Sequence, residues 1–301
     1  MAMMAAAIIA TSCGGTAADE HSASSAKATA SLTSAARATT TSSPPPTTTI
    51  AAADTTTVPP STTVATTAPT AVVPAPPVAT VDTAGSLRGR VIVIDPGHNG
   101  ANGAHTREIS EQVDAGGFTK DCNTTGTAGG DLSESRFNWE AALIAKATLE
   151  KAGATVVLTR ESDDGVGPCV DVRGRTSSLV GAQAMVSIHA DGSTVENHGF
   201  HVIHPSSIKG YTDLTKARSD QLATALRDSL VAKGWSPSTY IGDHGLDERG
   251  DLGTLNRSSV PSVMVECGNM KNGGDLALLA SPQGKAQLAD AILLALQQFF
   301  S

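Results

Sequence analysis

The chain has 301 residues and a net charge of −8, from 29 acidic and 21 basic side chains. It holds no basic run and no interleaving of basic with aromatic residues, which argues against nucleic acid as a partner. Beyond the amino terminus no apolar run approaches the roughly 20 residues needed to cross a bilayer.

Met1 to Ser12 is small and apolar and leads into Cys13-Gly14-Gly15. Ala10-Thr11-Ser12-Cys13 resembles the lipobox of bacterial lipoproteins, in which the cysteine is lipidated and becomes the new terminus. The alternative is a cleaved secretory peptide, although no Lys or Arg precedes the apolar run. Either way residues 1–13 are expected to act as an export segment. The protein would then reside in the cell envelope, anchored to the membrane by lipid on Cys13, or be secreted or periplasmic. Residues 14–85 are rich in Ala, Thr, Ser and Pro and lack Phe, Trp and Tyr. Such a segment cannot bury enough apolar area to offset its conformational entropy, and a disordered stalk is expected. Residues 86–301 have the mixed composition and length of one domain with its own core.

In that domain Arg90–Asp95 is apolar without alternation, as a central parallel strand requires. A long Gly/Asn/Thr-rich segment from Gly97 to Ser133 follows, expected to be functional or to hold a small hairpin. Ser133 can cap a helix with Glu134 in its first turn. Phe137, Ala141, Ile144, Ala145 and Leu149 give that helix an apolar face, and Gly153 ends it. Thr155–Thr159 reads as a strand, Val170–Val180 as a helix with Arg173 and Arg175 early in it, and Ala184–Ile188 as a third strand. Phe200–Ile203 is a fourth, Leu214–Lys233 a helix closed by Gly234, and Tyr240–Asn256 a loop with room for a strand. Ser262–Val265 is the last strand and Gln283–Phe299 the last helix. Strands alternating with helices predict an α/β three-layer sandwich with a mostly parallel sheet. Cys122 and Cys169 both lie in polar loops, and in an exported protein they are expected to pair. Cys267 follows a buried strand and reads as a small hydrophobe.

Three apolar runs lead into residues able to bind a metal or move a proton: His98, His189 and Glu266. In a parallel sheet the carboxyl ends of the strands share an edge, where ligands bind. Zinc hydrolysis needs three protein ligands, an open position, and a carboxylate to accept water's proton. His98 and His189 suit two ligand positions, and Glu266 suits the base, because a carboxylate after Val-Met-Val is costly to bury without a task. For the third ligand the local chemistry leaves Glu134 and Glu140 open. Glu134 could equally be a first-turn Glu favoured by the helix dipole. Asp191 could orient an imidazole or cap a turn. Arg249 could contact an anionic substrate or be an exposed loop arginine. His105, His198, His201, His204 and His244 are expected to be solvated or one layer removed from the metal, with His198, His201 and His204 forming a surface row.

Taken together, Val91–His98, Glu134 at a helix start, Val156–Arg160, Val186–Asp191 and Pro261–Glu266 resemble zinc-dependent N-acetylmuramoyl-L-alanine amidases of the amidase-3 type, in order and spacing. The resemblance spans about residues 88–300. It implies about six strands flanked by helices and one Zn2+ held by His98, Glu134 and His189, with Glu266 catalytic. It selects Glu134 over Glu140, because the family Glu precedes an Asn four residues on, here Asn138. The implied substrate is peptidoglycan or muropeptides, cut at the amide between the lactyl group of N-acetylmuramic acid and L-alanine of the stem peptide. The chain is similar in particular to short mycobacterial amidases, through Lys120-Asp121-Cys122, Gly167-Pro168-Cys169, Gly268–Asn272 and a disulfide joining the two loops. Asn269 departs from the aromatic that many members carry, and Cys267 is unusual. A monomer is expected. Two other readings stand beside this one: a non-catalytic wall-binding or regulatory lipoprotein on an amidase scaffold, and a zinc peptidase acting within the stem peptide.

Overall fold

In the computed structural model, which describes residues 87–301, β1 (Val91–Pro96) is buried over most of its length. The expected export segment with Cys13, and the expected stalk, lie outside the described residues. The segment after β1 is not featureless. It forms a short helix, α1 (Thr106–Ile109), and two small hairpins, β2 (Gln112–Asp114) with β3 (Thr119–Asp121) and β4 (Ala128–Gly129) with β5 (Leu132–Ser133). Ser133 caps α2 (Glu134–Lys151) by accepting from Arg136 N, and Phe137, Ala141, Ala145 and Leu149 bury the expected face. Full burial of a side chain such as Phe137 stabilises by about 1.5–3 kcal/mol. β6 (Thr155–Leu158), α3 (Val170–Leu179) and β7 (Ala184–Asp191) follow. Then come β8 (His201–Pro205), α4 (Lys216–Ala232), β9 (Leu246–Arg249), α5 (Gly253–Asn256) and β10 (Ser262–Asn269). α6 (Gly273–Ala280) and α7 (Pro282–Phe300) close the chain. No described helix is long and apolar enough to cross a membrane.

The main sheet runs β6-β1-β7-β10-β8-β9, parallel except where β8 meets β10. α2 and α4 pack on one face, with α7 against both, while α3 and α5 lie on the other. The chain leaves β1 for β6 through α2 and returns past β1 to β7 through α3. Strand order therefore reverses between β1 and β7, the kind of crevice where open α/β sheets bind ligands. Ile92, Ile94, Val186, Ile188, Val263 and Val265 point into the core beneath α2 and α4. The intervening residues Val93, Asp95, Met185, Ser187 and His189 therefore belong to the opposite face.

Three expectations need correction. β7 and β10 run past the predicted ends, to Asp191 and Asn269, because their ladder continues with Glu266 opposite His189. His189 and Glu266 thus sit inside strands. α6 was not foreseen, since Gly273 and Gly274 are poor helix formers. Asn272 compensates by accepting from the Gly274 and Asp275 amides. His201 and His204 are not a surface row. β8 lies between β10 and β9, so His201 is buried, and His204 faces Asp220 at 2.7 Å.

Cys122 and Cys169 form a disulfide across a separation of 47 residues, as expected, and Cys267 is free and buried. Beside the bridge, the Val170 amide donates to the Cys122 carbonyl at 2.8 Å, so the cross-link fastens the hairpin segment to the start of α3. Closing a loop of this length removes denatured-state entropy corresponding to about 4 kcal/mol. Replacing both cysteines by Ser is expected to lower unfolding stability in urea by up to that amount. An unchanged midpoint in non-reducing buffer would contradict the loop-closure assignment.

Candidate metal centre

The turn after β1 is the first thing the site requires. Asp95 is buried at the end of a strand, and a buried carboxylate needs partners. It accepts from Arg173 Nη1 at 2.9 Å, Ser187 Oγ at 2.5 Å and Thr159 Oγ1 at 2.5 Å. Arg173 goes further. Its guanidinium donates to the carbonyls of Pro96 at 2.7 Å, His98 at 2.8 Å and Pro168 at 2.8 Å, and to Asn99 Oδ1 at 2.6 Å. Arg160 adds a second clamp through the Pro96 and Ser135 carbonyls at 2.9 and 2.8 Å. Asn138 Nδ2 donates to the Gly97 carbonyl at 3.1 Å. These contacts hold His98 at φ 56°, a left-handed conformation that costs a non-glycine residue roughly 1–2 kcal/mol.

His98, Glu134 and His189 converge, with their ligand atoms within 4.8 Å of one another. Glu134 Oε1 lies 3.0 Å from His98 Nε2 and 2.9 Å from His189 Nδ1. Its other oxygen accepts from the Thr127 amide at 2.8 Å. The helix start therefore aims this carboxylate over the sheet edge. His98 Nδ1 lies 3.0 Å from the Thr124 carbonyl, which fixes Nδ1 as the protonated nitrogen. Neutral His98 then turns an Nε2 lone pair toward a carboxylate oxygen. That arrangement calls for a cation between them, either a proton or a metal. Two imidazoles and one carboxylate around one point form a donor set suited to divalent zinc with a position left open. Two glycines make room. A Cβ on Gly97 would overlap the His189 ring, and one on Gly126 would press on both Glu134 and the His98 ring.

Electrostatics agree with the geometry. Burial opposes ionisation of Glu134, yet hydrogen bonds from His189 and His98 hold its carboxyl far below the usual range. Burial also works against charge on His98, but Glu134 and the Thr124 carbonyl outweigh it and raise its pKa. For His189 burial prevails and lowers the pKa, with the neighbouring His98 adding to the effect.

The three residues line a cavity of about 410 Å3 together with Lys120, Asp191 and Glu266. Glu266 Oε2 is buried without a hydrogen-bond partner. Burial, then the charges of Glu134 and Asp191, push its carboxyl well above the ordinary value. Glu266 therefore reaches the cavity beside the three converging side chains with one oxygen free of any hydrogen bond.

The remaining sequence candidates fall elsewhere. Glu140 lies roughly 240° around α2 from Glu134, given about 100° per residue. There it pairs with Arg136 at 2.8 Å and Lys285 at 2.6 Å, away from the centre. Arg249 does not line the cavity, because Asp251 binds its guanidinium at 2.9 and 2.7 Å. Asp191 orients no imidazole. It accepts from the Gly192 amide at 2.6 Å and from the Tyr240 hydroxyl at 3.0 Å. Arg173, Arg160 and the Thr124 carbonyl were not assigned a role from sequence. The available signal was Asp95 itself: an acid that ends a wholly apolar strand demands a buried cation.

A family model described as N-acetylmuramoyl-L-alanine amidase matches residues 92–298. The N-acetylmuramoyl-L-alanine amidase of Mycobacterium tuberculosis is 39% identical over 221 residues, covering 73% of this chain and 90% of that protein. The crystal structure of the amidase Ami1 from Mycobacterium smegmatis aligns with a TM-score of 0.66 at 42% identity, covering 71% of this chain and 97% of that one. The apo form of Ami1 from Mycobacterium abscessus aligns with a TM-score of 0.67 at 40% identity, covering 71% and 100%.

Removing the clamp should cost both stability and its acid dependence. Arg173→Met leaves Asp95 and three carbonyls without their cation and is expected to destabilise by roughly 3–5 kcal/mol. Burial alone would raise the Asp95 pKa, but Arg173, Ser187 and Thr159 hold it below the ordinary aspartate value. A depressed folded-state pKa contributes stability above the unfolded value and loses it as pH falls through the folded one. The wild-type protein should therefore lose this contribution below about pH 4, whereas Arg173→Met should lack it at every pH. Urea midpoints measured at neutral and acid pH check both statements. Equal midpoints for the two proteins at neutral pH would contradict them.

Proposed function

The chain belongs to the N-acetylmuramoyl-L-alanine amidase family, and from that premise we propose that residues 86–301 form a zinc-dependent peptidoglycan hydrolase. It cuts the amide between the lactyl group of N-acetylmuramic acid and L-alanine of the stem peptide. The observation that carries this reading is the convergence of His98, Glu134 and His189 in one cavity lined also by Glu266. His98 Nε2, His189 Nδ1 and a Glu134 oxygen would hold the Zn2+. When bound, the ion supplies a Lewis acid that polarises the scissile carbonyl and activates water at neutral pH, and its charge favours ionised Glu266.

The protein's own groups do the rest. Glu266 accepts a proton from the attacking water as its oxygen bonds to the carbonyl carbon. As the C–N bond breaks, Glu266 returns the proton to the departing nitrogen, leaving a lactyl carboxylate and the amino group of L-alanine. Arg173 and Arg160 keep the His98 turn in place during this cycle. All four functional side chains come from one chain, so the proposed site needs no second copy. Residues 1–13 would export the protein and residues 14–85 would serve as a stalk, holding the catalytic domain in the cell envelope by lipid on Cys13 or releasing it there.

Two substitutions separate the roles. Glu266→Gln is expected to keep a full equivalent of zinc and lose roughly 10²- to 10⁴-fold in turnover, the range of general acid–base catalysis. His189→Ala is expected to lose both metal and activity. Zinc content by elemental mass spectrometry and stem-peptide release from muropeptides are the two readouts. Full turnover by Glu266→Gln would contradict the assignment.

A further inference from the structure

β8 lays His201 directly opposite Glu266 in its antiparallel ladder with β10. Two residues along, the opposed pair Met264 and Ile203 pack together in one cluster with Leu255. Strand side chains alternate with period two, so Glu266 and His201 share that face. Directly opposed residues hold their Cβ atoms about 4.5–5.5 Å apart. On the other side of Glu266 the register partner is His189. Three strands thus present His189, Glu266 and His201 in one row.

His201 is 1% exposed, and its Nδ1 is buried without a hydrogen-bond partner, as is Glu266 Oε2. A buried donor or acceptor without a partner is costly, and native folds leave few of them. The two orphans are complementary once Glu266 is ionised, as in the proposed reaction, because a neutral imidazole has one N–H to donate and a carboxylate only accepts. Burial keeps the His201 ring neutral by lowering its pKa against the nearby charges of Asp191 and Asp247. Tyr240 packs edge-on against the His201 ring, with ring centroids 6.4 Å apart. The Tyr240 hydroxyl is in turn tied to Asp191 at 3.0 Å.

We propose that His201 is a positioning residue for Glu266: its imidazole N–H, directly or through one water, holds one carboxylate oxygen so that the other faces the cavity. This rests on the reading of Glu266 as the proton carrier. Glu266 ends in two soft torsions, and a reacting group misplaced by about 1 Å can cost on the order of 10²-fold in rate. His201 would remove that freedom from behind, without touching metal or substrate.

The test measures kcat, KM and zinc content on a defined muropeptide for His201→Phe, His201→Leu, His201→Asn and Glu266→Gln. The two apolar variants are expected to lose roughly 10- to 100-fold in kcat, with KM and zinc content unchanged. His201→Asn places an amide donor near the position of Nδ1 and is expected to recover most of the rate. Wild-type kcat in an apolar variant, or His201→Asn as slow as the apolar variants, would overturn the proposal. Should neither apolar variant fold, near-wild-type kcat in His201→Asn is the supporting result and a kcat as low as that of Glu266→Gln the opposing one. Retained activity in Glu266→Gln would instead overturn the proton-carrier reading itself.

Discussion

One guanidinium organises the centre. Arg173 spends its donors on the Asp95 carboxylate, on the carbonyls of Pro96, His98 and Pro168, and on the Asn99 side chain. The end of β1, the His98 turn and the loop before α3 thereby become one body. The turn needs this restraint, because His98 carries a positive φ that its own side chain disfavours. The disulfide reinforces the same body from outside. Cys169 follows Pro168, which accepts from Arg173, and Cys122 lies two residues before Thr124, whose carbonyl receives the His98 ring. Both restraints therefore converge on the orientation of a single imidazole.

The sheet supplies the second part of the geometry. Parallel pairing sets Glu266 beside His189, and the reversal of strand order between β1 and β7 opens the crevice where His98 and His189 meet. Glu134 comes from the other face, at the first residue of α2, and reaches over the sheet edge to complete the set. The three residues proposed to hold the metal thus come from the end of a strand, the start of a helix and the interior of a strand. Proton transfer is assigned to a fourth residue, Glu266, next to His189 across the β7–β10 ladder. Burial and the charge of Glu134 raise the Glu266 pKa, whereas the two imidazoles depress that of Glu134.

Much of this is readable in the residues. The unalternating apolar runs at Val91–Ile94, Ala184–Ile188 and Ser262–Val265 mark central parallel strands, and Ser133 marks the start of α2. What was hidden depends on contacts between distant segments. Glu134 and Glu140 share a helix and differ only in which way they face, so local chemistry could not choose between them. Family resemblance could, and Asn138, which made that choice, donates to the Gly97 carbonyl. The antiparallel placement of β8 was invisible because strand direction leaves no trace in composition. It also turned His201 from an expected surface residue into a buried neighbour of Glu266. Arg173 was noticed on its helix but given no task, since all its partners except Pro168 lie more than 70 positions away. Arg249 had the opposite fate: expected in a loop, it ends β9 and is taken up by Asp251 two residues on.

The central claim is a metal-dependent cut at one bond, and it is tested most directly by the products of a muropeptide digest resolved by mass spectrometry. The protein is assayed as purified, after chelation, and after zinc is restored. The account expects muramic acid with a free lactyl carboxyl together with an intact stem peptide beginning at L-alanine, lost on chelation and recovered with zinc. Shortened stem peptides, or the same products at full rate in the presence of chelator, would contradict it.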